Sequence, residues 1–267
     1  MNKLLIARLA AHAAVLTLAA LSVPVSAFQP LLTDDAGTQG SGGNQLEVSL
    51  NRDRTRAVGD ITLVRALPIV YTRGLTPTID VFAGVGYGWI GSNAPGGDAT
   101  GTGNPWFGAK WRYYQAEESD TGLAVKTEVL LPVDASLESA GLGKGRTSGS
   151  LTLILSQAVP FGAIHINAGV ARERYRDALR NPDATTTRAS ISPVWDLSDA
   201  WKLAIDLGAG STESGGAALR THHIGVGAIY SPHGNLDVAL GFFRLATHDT
   251  PRTVTHAASA GITWRFP

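Results

Sequence analysis

Apolar and polar side chains trade places residue by residue through most of this chain. In the final stretch, VTHAASAGITWRFP, Val254, His256, Ala258, Ala260, Ile262, Trp264 and Phe266 share one face, and Thr255, Ala257, Ser259, Gly261, Thr263 and Arg265 share the other. Side chains of an extended strand alternate with period two, so the stretch predicts a strand with one oily face and one wet or small face. WKLAIDLGAG divides in the same way, with Trp201, Leu203, Ile205, Leu207 and Ala209 against Lys202, Ala204, Asp206, Gly208 and Gly210. GLAVKTEVLL does so again, with Leu123, Val125, Val129 and Leu131 opposed to Ala124, Lys126 and Glu128.

The alternation predicts twelve strands, near 44–54, 60–71, 77–90, 105–114, 121–131, 148–159, 163–175, 185–195, 200–210, 219–230, 236–246 and 254–266. Short connections join the second strand to the third, the sixth to the seventh, the eighth to the ninth and the tenth to the eleventh. Those after the third, fifth, seventh and eleventh are longer and rich in Gly, Asn, Asp, Ser and Pro. An even strand count with short turns at one end and long loops at the other describes an all-β, transmembrane antiparallel barrel of the outer membrane. A strand of about ten residues, rising about 3.4 Å per residue and tilted about 40°, crosses about 26 Å, the height of the apolar band of such barrels.

Aromatic positions give an independent test. With both ends of the barrel in the periplasm, Tyr71, Trp111, Tyr113, Trp195, Trp201, Tyr230, Trp264 and Phe266 fall at the short-turn end, and Trp89, Phe107, Tyr175 and Phe242 toward the long loops. Two such girdles are the mark of a barrel that meets two membrane interfaces. A soluble β-sandwich would turn its oily face inward and has no use for aromatics gathered at strand ends. A lipocalin-like fold would use fewer strands.

The first residues bear on the compartment. Lys3 and Arg8 supply a positive start, LIARLAAHAAVLTLAALSV an apolar stretch, and Val25-Ser26-Ala27 small residues for cleavage, so residues 1–27 read as a secretory signal peptide. Residues 28–43 then form a polar, glycine-rich N-terminal segment, periplasmic or lumen-plugging, and 44–267 the barrel. The chain holds 22 Lys plus Arg and 22 Asp plus Glu. Without Lys3 and Arg8 the balance stays near neutral, which gives no case for nucleic acid. Cysteine is absent, so disulfides, thiolate chemistry and Cys-ligated metals are excluded.

PLLTDDAGT, at residues 30–38, is followed after a Gly-rich spacer by NQLEVSL as the first strand, and YTRGLTPTIDV spans the turn between the second and third strands. These features resemble the outer-membrane family labelled for the meta-pathway of phenol degradation, and the strand pattern extends the likeness over nearly all of the mature chain. The resemblance implies a channel or transporter for small organic, often aromatic, solutes. It names no binding residues. It also implies outer-membrane lipids and the barrel-assembly machinery as partners. Outer-membrane barrels commonly end in an aromatic residue, whereas here Phe266 is penultimate and Pro267 last.

Candidate chemistry is sparse. TDDAGTQGSGGN lacks the terminal bidentate acid of a calcium loop, and Asp34 and Asp35, being adjacent on an extended segment, point apart rather than forming an acid pair. His222 and His223 face opposite ways and cannot share a metal. His256 and Ser259 likewise lie on opposite faces, which disfavours a lipid-modifying hydrolase. No cofactor, metal or catalytic residue is expected. GLGKGR lacks the first glycine of a phosphate loop.

The remaining candidates are the charges of the inner face. Lys110, Arg112, Lys126 and Glu128 cluster across the fourth and fifth strands, and Arg188 and Asp206 are expected to approach across the eighth and ninth. They read either as ion pairs bracing a narrow lumen or as a selectivity constriction. Inward glycines at 84, 86, 88, 208, 210, 225 and 227 either leave open volume or ease strand curvature, and a lining mixed with Phe82, Val64, Ile154, Ile229 and Phe243 suits small amphiphilic solutes. Asp34 and Asp35 are the possible plug, expected to meet Lys110, Arg112 and Lys126, with Gly40, Gly42 and Gly43 as its hinge. The alternatives to a channel are a structural or partner-binding barrel and an outer-membrane lipid-modifying enzyme.

Overall fold

A computed structural model describes residues 30–57, 60–93, 97–116, 118–179, 181–248 and 252–267. The expected signal peptide lies outside these residues. Strands β1 (Asn44–Ala57), β2 (Asp60–Gly74), β3 (Ile79–Ser92), β4 (Ala99–Thr102), β5 (Trp106–Ala116), β6 (Thr121–Leu130), β7 (Ser148–Val159), β8 (Gly162–Glu173), β9 (Ala184–Ser198), β10 (Trp201–Ser214), β11 (Ala217–His233), β12 (Leu236–Thr247) and β13 (Thr253–Phe266) form one antiparallel sheet. Among the described residues a short helix, α1 (Ala135–Ser139), lies between β6 and β7.

The thirteen strands make twelve staves, because β4 and β5 are successive pieces of one. Both pair with β3, through Tyr87↔Thr102 and Gly84↔Trp106. The break falls at Gly103–Pro105, where proline has no N–H to give the ladder. Alternation alone did not reveal β4, since ATGT is too short and too glycine-rich to show a period. The strands also run longer than the oily alternation, up to 17 residues in β11, because backbone pairing continues into the polar rims.

β1 pairs with β2 on one side and with β13 on the other, from Asn44↔Phe266 to Ala57↔Thr253, and this last pairing closes the cylinder. Closure leaves no edge, the condition for strands to cross a membrane. Both ends of the barrel chain therefore lie at one rim, beside the short turns at 160–161, 199–200 and 234–235. There the girdle is built of ring pairs: Trp201 with Tyr230 at 4.7 Å, Trp264 with Phe266 at 4.5 Å and Phe161 with Trp195 at 5.5 Å. At the other rim Tyr87 meets Trp89 at 4.8 Å, and Phe107 and Phe242 are exposed. Tyr175 does not join the outer girdle. It lies buried in the loop after β8, where its hydroxyl donates to Glu173.

The inner wall is packed by pairing large residues with none. Phe82 lies across from Gly108, Trp106 from Gly84, His223 from Gly208 and Phe243 from Gly225. At each of these glycines a Cβ would overlap the facing ring. At Gly84, Gly208 and Gly225 the expected open volume is thus already filled by neighbouring side chains. Phe82 and Trp106 join Val70 and Leu130 in one buried cluster, and Ala124 and Ile154 belong to another.

The chain has no cysteine, so single introduced thiols report topology cleanly. Ser136→Cys in α1 should react with a membrane-impermeant maleimide on intact cells, and Ser119→Cys in the β5–β6 turn should react only after the outer membrane is breached. The reverse pattern would invert the orientation. A second expectation concerns packing: Gly84→Val forces the Trp106 ring aside and should destabilise the barrel by about 1–3 kcal/mol, read as a lower temperature for loss of heat-modifiable migration.

Candidate functional site

Residues 30–43 enter the barrel. Gly40 and Gly42 have φ of +75° and +85°, and Gly42 N–H donates to the Gly74 carbonyl while Gly74 N–H donates to that of Gly43. These left-handed turns, open to glycine at no steric cost, fold the chain back from the start of β1 into the lumen.

From the turn, the segment climbs one wall and crosses to the other. Gln39 N–H donates to both carboxylate oxygens of Asp80 at 3.1 Å, and Ala36 N–H to Ser156 Oγ at 2.8 Å. Asp34 exchanges two bonds with Asn167: its N–H donates to Oδ1 at 2.6 Å, and Asn167 Nδ2 donates to its carbonyl at 2.9 Å. Asp206 then accepts from Leu32 N–H, Thr33 N–H and Thr33 Oγ1, at 2.7, 2.8 and 2.9 Å. Leu31 packs with Val194 and Ala204. Pro30 rests over Gly227 and Gly241, where a Cβ would meet its ring. An extended segment cannot satisfy its own backbone, and here polar side chains from β3, β7, β8 and β10 do so.

Charge fixes its depth. The register sets Lys110 of β5 directly across from Lys126 of β6, a pairing that repels unless an anion intervenes. Asp34 is that anion, 2.8 Å from Lys126 Nζ and 3.6 Å from Lys110 Nζ, with all three side chains largely buried. Burial alone would push the Asp34 carboxyl up, but Lys110 and Lys126 outweigh it and hold the group below its ordinary value of 3.8. Lys126 also lies 5.1 Å from the centre of the Phe82 ring and 3.9 Å from Glu128, which accepts from Ser150.

The other candidates lie elsewhere. Lys110 Nζ donates to the Asp35 backbone carbonyl, while the Asp35 side chain turns back to accept from Gly37 N–H. Arg112 reaches the Pro77 carbonyl in the β2–β3 turn rather than either aspartate, since a bulge beside it marks the rim. Arg188 stands across from Gly210 and Gly169 and makes no ion pair with Asp206. The β9–β10 register sets Asp206 level with Ser192, four residues nearer the short turns, and Asp206 takes His223 Nε2 at 2.9 Å in addition to the inserted backbone. Sequence reasoning missed Asp80, Ser156, Asn167 and Ser190, whose Oγ lies 2.8 Å from Thr33 Oγ1, as anchors. Their inward parity was visible, but the three neutral groups carry no sign to indicate what they face, and Asp80 meets backbone N–H groups rather than a cation.

Beneath the segment, toward the short turns, is a cavity of 370 Å³ whose lining includes Glu47, Asp80, Lys110, His165, Lys202 and Arg265. At the opposite mouth the β6–β7 connection folds inward. Its Lys144 is buried against Glu173 at 2.9 Å, and Leu142 fills the space beside Gly88. The lumen is therefore a charged vestibule, a crossing segment at mid-depth and a partly covered outer mouth. Among the described residues no group of three or more His, Asp or Glu is disposed to hold a metal ion.

Asp34→Asn removes the anion from between two buried lysines, and loss of a buried pair costs about 3–5 kcal/mol. A thiol reporter at Ala36→Cys should then be modified at least tenfold faster than in the same reporter with Asp34 intact. Because the Asp34 pKa is depressed, the pair's contribution is complete above 3.8 and is lost only as pH falls below it. Reporter modification with Asp34 intact should therefore not rise between neutral pH and that value. Equal rates with and without the Asp34→Asn substitution would show that the segment is anchored by its backbone bonds alone.

A sequence model of the family described as "Putative MetA-pathway of phenol degradation" matches residues 33–266. The fold is similar to that of an outer membrane channel from Pseudomonas putida F1, at 15% identity and a TM-score of 0.71, covering 87% of this chain and 98% of that one. It is also similar to the β domain of the Bordetella autotransporter BrkA, at 15% identity and 0.56 over 85% and 100% of the two chains. The translocator domain of the autotransporter NalP from Neisseria meningitidis, at 13% identity, gives 0.53 over 96% and 97%. No curated protein matches the sequence.

Proposed function

Because the chain belongs to the phenol-degradation family whose model matches residues 33–266 and folds as an outer-membrane barrel, we propose that it is a channel for small organic solutes, held closed at mid-depth by its own N-terminal segment. The observation that carries this reading is the seating of Asp34 between Lys110 and Lys126, with the flanking backbone bonded to opposite walls, to Asp80 of β3 on one side and to Asp206 of β10 on the other, and to Ser156 and Asn167 between them. A purely structural barrel has no need of a strip of chain laid across its lumen. This one brings in a separate strip of chain, joined through a glycine turn, and leaves a vestibule beneath it.

The family description points to aromatic compounds, and the wall supports a solute of that kind. Phe82 and Lys126 both line the vestibule, the ring centre 5.1 Å from Nζ, a mixture suited to a ring carrying one polar group. Displacing the segment would uncover Lys110 and Lys126 together, so the opened path would favour anions and phenol-like hydroxyls over cations. The role assigned to the barrel is passage rather than catalysis, with Asp34 as the closing charge and Asp206 as the backbone anchor.

Deleting residues 30–42 should raise single-channel conductance severalfold in planar bilayers while heat-modifiable migration is retained, and should speed the entry of phenol into liposomes. Asp34→Asn should shift both in the same direction by less. In the deletion variant, Lys110→Glu should move ion preference toward cations. Unchanged conductance and phenol entry in a folded deletion variant would remove the segment as the gate.

A further inference from the structure

The lipid-facing side of the barrel is uneven. Along β1 the outward residues run Leu46, Val48, Leu50 and then Arg52, Arg54, Arg56. The register adds neighbours to this ladder. Arg52 faces Arg65 of β2, Arg54 faces His256 of β13, and His256 faces Arg244 of β12. Strands lie about 4.8 Å apart, so these five arginines and one histidine cover a patch about 15 Å wide near the outer rim. Asp53 and Asp60, the acids nearest to it on β1 and β2, have inward parity. None of the five arginine side chains makes an ion pair or hydrogen bond with a described residue.

Their depth is equally uneven. Arg52 is eight residues from the short-turn end of its strand, where Leu151 of β7 and Val170 of β8, at the same count on the far wall, are exposed and apolar. Six residues separate Arg52 from Leu46 and Arg65 from Tyr71, which is about 16 Å of height for a tilted strand against about 25 Å for a full apolar band. An arginine turned to hydrocarbon is costly, and long side chains reduce that cost by reaching toward the interface. Five like-signed groups side by side repel one another unless anions are supplied from outside. Facing the membrane, they can receive those anions only from lipid.

The geometry points to a binding site for a phosphorylated glycolipid headgroup of the outer leaflet on the wall formed by β2, β1, β13 and β12, with Arg52, Arg54, Arg65 and Arg244 as its phosphate ligands. Guanidinium groups bind phosphate through paired N–H donors, and several at fixed strand spacing match a headgroup that carries more than one phosphate. The apolar residues below them, Leu50 and Phe242, would take the acyl chains. This site lies outside the lumen and does not depend on how the channel is gated.

The test is native mass spectrometry of the full barrel in neutral detergent, with diphosphorylated lipid A, its dephosphorylated form and inorganic pyrophosphate as separate probes. Diphosphorylated lipid A should bind at least tenfold more tightly than either of the others. An R52Q/R54Q/R244Q variant that keeps its heat-modifiable migration should lose that preference. Equal binding of the dephosphorylated lipid would reduce the site to a greasy surface and overturn the proposal. Pyrophosphate binding as tightly as the lipid would overturn the lipid assignment. The comparison of the three probes on the unaltered protein stands even if the triple variant fails to fold.

Discussion

The pairing of β1 with β13 is the constraint on which everything else rests. Backbone N–H and C=O groups have no water to bond within a bilayer, so a strand left open at either edge would carry a row of unsatisfied groups through hydrocarbon. Fourteen rungs from Asn44↔Phe266 to Ala57↔Thr253 remove both edges at once. They also set both ends of the barrel at one rim. From that rim the residues before β1 have only two courses, away from the barrel or into it.

The interior makes the second course favourable. Twelve staves enclose a lumen too wide for most side chains to bridge, and the wall partly fills it by opposing Phe82, Trp106, His223 and Phe243 to glycines. The space that remains contains two lysines forced together by register. Asp34 resolves their repulsion, and the polar side chains along the same route resolve the backbone of the segment that brings it. Gly74 contributes from the wall side, since a Cβ there would run into the Gly40 carbonyl at the turn. Electrostatics and backbone bonding thus select one depth for the segment, at which it separates the vestibule from the outer mouth.

The outside of the barrel follows a different rule. There the solvent is lipid, and apolar residues need no partner within the protein. The exception is the arginine ladder of β1 and its neighbours, whose charge finds no answer within the barrel. Inner and outer faces of the same strand therefore pose opposite questions: Asp53 turns inward between Arg52 and Arg54, which turn out. Period two lets one strand serve both.

Much of this was written in the sequence because alternation is a local property. Each strand declares its two faces through its own residues, so the all-β class, the twelve staves, the short and long ends and most of both aromatic girdles followed without reference to distant parts of the chain. Inward parity likewise marked Lys110, Lys126 and Asp206 as facing the lumen. Register and reach were another matter. Whether Asp206 meets Arg188 or His223 depends on a stagger of four residues between strands, which composition does not encode, and Arg112 was drawn to the Pro77 carbonyl by a bulge that no pattern announced. The glycines read as space because a sequence shows the missing side chain and not the ring that occupies its place. Asp34 alone could be matched to its lysines in advance, since charge acts over distance and has a sign. The neutral anchors Ser156 and Asn167 were decided only when the closed barrel brought walls more than a hundred residues away along the chain within hydrogen-bonding range of one short segment.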